Sequence, residues 1–88
     1  MATIVLDILD DLSQQVSGLD IQDKVRNGLI KKLDEASHKF TEGKDADAVS
    51  KLEDFIEAVE AKQGKKIMED DALSLIKRAE QVIALLES

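Results

Sequence analysis

Cysteine, proline, tryptophan and tyrosine are all absent from these 88 residues, and phenylalanine occurs only twice. Without cysteine there is no disulfide, no thiolate nucleophile and no sulfur metal site, and redox chemistry says nothing of the compartment. Without proline, no residue ends a helix by lacking a backbone N–H, so punctuation falls to the four glycines. The missing tryptophan and tyrosine remove the rings on which small noncatalytic modules stack sugar faces, so carbohydrate is not an expected ligand. Long apolar runs are missing too. Charged residues make up 35% of the chain and interrupt the 43% that is hydrophobic. That mixture is too apolar for a disordered tail and too broken for membrane insertion.

Positive charge of any concentration is also lacking. The net charge is −7, with five Lys/Arg against eight Asp/Glu in residues 1–43 and seven against eleven in residues 44–88. The basic pairs Lys31-Lys32, Lys65-Lys66 and Lys77-Arg78 are each diluted by nearby acids. Neither half offers a phosphate-binding field, so nucleic acid is not an expected partner. The opening Met1-Ala2-Thr3-Ile4-Val5-Leu6 meets Asp7, Asp10 and Asp11 too soon for a signal peptide. A free-standing intracellular protein, or a domain of a larger parent, is therefore expected.

What is present is helical periodicity. Val5, Leu9, Leu12 and Val16, with Ile8 beside them, mark one face of a first helix over about 4–17, which Gly18 ends. A second helix over 20–42 is predicted from Ile21, Val25, Leu29, Leu33, Ala36 and Phe40. Asp20 is expected to cap its first turn and Gly43 to stop it. Asn27-Gly28 sits inside that stripe, where a mid-helix glycine costs about 1 kcal/mol relative to alanine, and the sequence leaves open whether the helix kinks or restarts there. Leu19 is expected to enter the core. Ala48, Leu52, Phe55, Ile56 and Val59 define a third helix over 46–63. A fourth, over 69–87, carries Ala72, Leu75, Ile76, Ala79, Val82, Ile83 and Leu86 on one face. Short connections make consecutive helices antiparallel. The expected fold is all-α: a single domain over residues 1–88, a compact up-and-down bundle of three to four antiparallel helices. The first helix is either a full member or an arm across a core of three.

No residue qualifies as catalytic, cofactor-binding or metal-ligating. His38, the one histidine, lies off the apolar stripe and reads as solvated. Asp45-Ala46-Asp47 and Glu69-Asp70-Asp71 resemble calcium ligands superficially. However, Val49 and Leu52 stand where a calcium loop needs oxygen ligands and a tight turn, and carboxylates in a first helical turn explain both clusters. Paired carboxylates for acid-base work require a concave, partly dry site, and these acids fall on outward faces. Lysines are assigned to a solvated surface with helical pairs such as Asp20 with Lys24 and Asp47 with Lys51. No cofactor is implied and the chain does not read as an enzyme.

The residues Leu29, Lys32-Leu33, Ala36, Gly43, Ala48, Leu52, Phe55-Ile56, Val59, Gly64-Lys65, Ile67, Ala72, Leu75-Ile76 and Ala79 resemble the FIMAH-type domain over roughly residues 20–86. The most distinctive piece is Phe55-Ile56-x-x-Val59 followed by Gly64-Lys65-x-Ile67. Two positions depart from the family pattern: Glu57 stands where asparagine is common after the Phe-Ile pair, and Met68 where a serine or threonine usually caps the last helix. The resemblance implies a small all-helical module near the C-terminal end of a secreted or surface multidomain protein of bacteria or archaea. It implies no catalytic residues.

Taken with the missing sites, the expected function is that of a noncatalytic accessory module acting as a spacer or protein-interaction domain. By resemblance its place is extracellular or on the cell surface. The alternative is a free-standing cytoplasmic adaptor that binds a partner helix. A monomer is expected, with any partner being a protein docked in a groove between helices or on an apolar margin near Leu6, Leu73 and Leu85.

Overall fold

A computed structural model describes residues 2–88, with side chains from residue 4 onward. Four helices account for nearly all of it: α1 (Ala2–Ser17), α2 (Asp23–Thr41), α3 (Asp45–Lys62) and α4 (Glu69–Glu87). Packing joins α1 to α2, α2 to α3, α3 to α4 and α4 back to α1. The helices therefore stand at the corners of a square, as in an up-and-down four-helix bundle. Because α1 packs on both α2 and α4, it is a full member of the bundle and not an arm.

The apolar stripes meet at the centre. Val5, Leu9, Leu12 and Val16 of α1, Leu29, Leu33 and Ala36 of α2, Ala48, Leu52, Phe55 and Val59 of α3, and Ala72, Leu75, Ala79 and Val82 of α4 are all buried. Phe55 is the largest fully buried side chain. Phe40, Ile56, Ile76, Ile83 and Leu86, expected on inward faces, are half-buried and pack against this core from its margin, as does Leu19. Among the described residues no polar or charged residue is buried. The helix axes thus cohere through apolar contact, at about 25 cal/mol per Å² removed from water.

The ends of the helices show where sequence reading fell short. α2 begins at Asp23 and not at Asp20, and Asp20 does not cap it; Gln22 holds the N-cap position without a side-chain hydrogen bond. Instead, Arg26 in the first turn of α2 reaches back over the 18–22 connector. Its guanidinium donates to the carbonyls of Leu19 (2.8 Å) and Ile21 (3.0 Å) and pairs with Asp23. Two carbonyls that join neither helix are satisfied in this way, which ties the connector to the first turn of α2. The N-caps of α3 and α4, Lys44 and Met68, likewise make no side-chain cap hydrogen bond. Through Gly28, α2 is one continuous helix with no restart.

Two glycines adopt left-handed backbone, Gly43 (φ 80°) and Gly64 (φ 75°). At Gly43 the N–H donates to Phe40 O (3.0 Å) and the next N–H, of Lys44, to Lys39 O (2.9 Å). This is the Schellman closure of α2, and it needs a residue free of the Cβ penalty at φ > 0. After α3 the chain takes a longer route. The Lys62 carbonyl accepts from Lys65, Lys66 and Ile67, while Gly64 N–H donates to Ile67 O (2.8 Å). The loop so formed turns Ile67 inward until it is 1% exposed. Gly64-Lys65-x-Ile67 is therefore a plug with its own backbone clasp, and the sequence had shown it only as a connection.

Candidate functional site

The helix corners leave shallow grooves, and their linings differ in charge. Between α1 and α2 the groove holds Leu6, Asp7, Leu9, Asp10, Leu33 and Asp34. Between α3 and α4, Ile56 and Ile83 form a floor under Glu53, Glu57 and Glu80. Around His38 the lining is mixed, with Lys31, Lys39 and Lys51 facing Asp34 and Glu35. Beside the 63–68 loop, Lys65 and Lys66 share a groove with Asp20, Glu69 and Asp71.

The groove between α2 and α3 differs from these four. It measures about 380 Å³ and is lined by Val25, Gly28, Leu29 and Ala58 below and Lys24, Lys32, Lys62 and Lys66 above, with Gln22 at its end. Lys24, Gly28 and Lys32 follow at four-residue spacing, which sets them one above another on a single face of α2. Lys62 comes from the last turn of α3 and Lys66 from the loop beyond it. No carboxylate lines this groove. Nor does any of its four lysines enter an ion pair among the described residues; those pairs join Arg26 to Asp23, Glu42 to His38, Lys39 and Lys44, and Arg78 to Asp11. The pairs expected from helical spacing, Asp20 with Lys24 and Asp47 with Lys51, are not among them.

Two of these residues have no reason in the fold. A Cβ built at Gly28 meets nothing within 4 Å, and its φ is not positive, so neither crowding nor backbone geometry requires a glycine there. Glycine in such a helical position nonetheless costs about 1 kcal/mol against alanine. Lys24 sits in the first turn of α2, where the helix dipole disfavours a cation by a few tenths of a kcal/mol. Lys62, by contrast, is well placed at the C-terminal end of α3, where the dipole favours it.

The positions set aside in the sequence lie on the surface. His38 is exposed, with Nε2 3.4 Å from a Glu42 oxygen. Asp45, Asp47, Glu69, Asp70 and Asp71 occupy first helical turns. No group of three His, Cys, Asp or Glu among the described residues could hold a metal ion. Among the described residues no helix is long and apolar enough to cross a membrane. Leu6 and Leu73 are exposed, and Leu85 is half-buried against the core. The lysine-rimmed groove escaped sequence reading because its residues come from two helices and a loop. The only local hint was the four-residue spacing of Lys24, Gly28 and Lys32.

No curated protein and no solved structure matches the chain. The model of the FIMAH domain matches residues 5–84, a span that begins in α1 and takes in both left-handed glycines and the Ile67 loop. The chain belongs to the FIMAH domain family.

Proposed function

We propose that this FIMAH domain is a noncatalytic accessory module of a larger secreted protein, serving it as a spacer or protein-interaction domain. The observation that carries this reading is the division between inside and outside. Every buried residue described is apolar and joins helix to helix, while the charged residues face solvent around shallow grooves. Such a body is compact, measuring 34 × 20 × 18 Å, and offers its surface for contact. Its grooves run between neighbouring helices or beside the connecting loops, a form suited to docking a peptide or helix. Its proposed setting is outside the cell or on its surface, as part of the parent protein.

The reading frame of the parent gene tests this. A frame that continues upstream of Met1 through a catalytic or adhesive region to a signal peptide is the expected result. An in-frame stop immediately upstream would instead make the chain a free-standing adaptor, whose partner would be an intracellular helix.

A further inference from the structure

We infer that the groove between α2 and α3 is a docking site for an acidic peptide segment carrying aliphatic side chains. This rests on the reading of the domain as a protein-interaction module and assigns that role to one place on its surface. Four lysines rim the groove in a chain whose net charge is −7. Of the grooves described above it alone has a basic rim without a carboxylate, so the charge of its lining is opposite in sign to the net charge of the chain.

Local departures from good helix design coincide there. Gly28 and Lys24 both weaken α2, and both line the groove. Departures of this kind are expected where a site constrains the sequence. With no side chain, Gly28 leaves the groove floor open beside Val25, Leu29 and Ala58. A leucine or isoleucine of the ligand rests on that floor, and the carboxylates flanking it reach the four ammonium groups.

The same features select a peptide over other anions. The groove, of about 380 Å³, has room for a few side chains at a time. A chain of phosphates or uronates would leave the lysines and run on over acidic surface, where its charges are repelled. It would also leave the aliphatic floor unused. A short peptide with aliphatic and acidic side chains meets both the floor and the rim.

Fluorescence anisotropy with the full 88-residue chain provides the test. Two labelled pools of eight-residue peptides serve as probes, both with leucine at two central positions, one with Asp/Glu and the other with Lys/Arg elsewhere. The acidic pool is expected to bind and the basic pool not to, with affinity falling as salt rises. Lys24→Glu combined with Lys62→Glu should weaken binding at least tenfold, whereas Lys31→Gln with Lys77→Gln, outside the groove, should leave it unchanged. Gly28→Leu should fill the floor and abolish binding while the melting temperature stays the same or rises, which separates blockage from misfolding. Equal binding of the two pools, no binding of the acidic pool, or binding that survives Gly28→Leu would each overturn the assignment. So would a soluble oligouronate that binds while the acidic pool does not. None of those results bears on the upstream reading frame, so the groove can fail while the module reading stands.

Discussion

At the scale of single residues, Arg26 and Met68 show how the ends of helices are managed without capping side chains. Arg26 donates to two connector carbonyls that have no helical partner, and its Nε is buried with no protein acceptor among the described residues. Replacing it strands both carbonyls, at about 1–3 kcal/mol for a buried unsatisfied group. Since these bonds are only partly buried, Arg26→Ala is expected to cost about 1–2 kcal/mol. A domain of this size would then lose roughly 4–8 °C in melting temperature for each kcal/mol. An unchanged melt would mean that water replaces the guanidinium. Met68 is the opposite case. It holds the N-cap of α4 in extended backbone (φ −59°, ψ 143°), is 72% exposed and contributes no cap. Met68→Ser should raise stability by about 1 kcal/mol in denaturant melts, since its hydroxyl can accept a first-turn N–H. A loss of stability would show that the methionine makes a contact worth more than a cap.

At the scale of elements, the helices were largely legible and their joints were not. A stripe such as Val5, Leu9, Leu12 and Val16 repeats over several turns, so one misplaced residue does not hide it, and all four are buried. Gly43 was legible for a different reason: a helix of this length ending in glycine has a well-defined closure, and the Schellman bonds are formed. Asp20 misled because carboxylates are good caps in general, while the Arg26 clasp depends on three-dimensional reach that no periodicity records. Ile67 stood out only through the family resemblance and not as a core residue, since an isolated apolar residue in a loop carries no period. Yet it fills the core more completely than half-buried Ile56 on a helix. Ile67→Ala should therefore cost about 2–5 kcal/mol, as for a helical core residue. If equilibrium unfolding shows less than about 1 kcal/mol, the loop is not held inward in solution. Gly28 was read as a weak point of α2, and the helix runs through it because packing on either side outweighs a local penalty of about 1 kcal/mol.

At the scale of the whole molecule, four stripes are consumed by one another, and the largest apolar side chains left outside are Ile4, Leu6, Met68 and Leu73. These are scattered over α1, the N-cap of α4 and α4 itself, too few and too far apart in sequence to promise an interface between copies. The chain should sediment as a monomer at micromolar concentration. A dominant dimer would point to the Ile4 and Leu6 end of α1 as the buried patch. The groove rim belonged to this scale from the start, because Lys24, Lys32, Lys62 and Lys66 become neighbours only when α2, α3 and the loop are assembled. The square of helices has a kinetic side as well. Three of its four sides join helices adjacent in the chain, and only the side between α1 and α4 must close a loop spanning α2 and α3. Local pairs cost little loop entropy and form early, so α2 and α3 should associate first, around the glycine turn at residue 43, with the α1–α4 side closing afterwards. Leu52→Ala in α3 should then slow refolding in stopped-flow measurements, while Leu12→Ala in α1 should mainly speed unfolding. A domain built in this way opens first along one predetermined seam, where Gln15 meets Ser74 and Asp11 meets Arg78, while the helix pair bearing the lysine-rimmed groove stays closed.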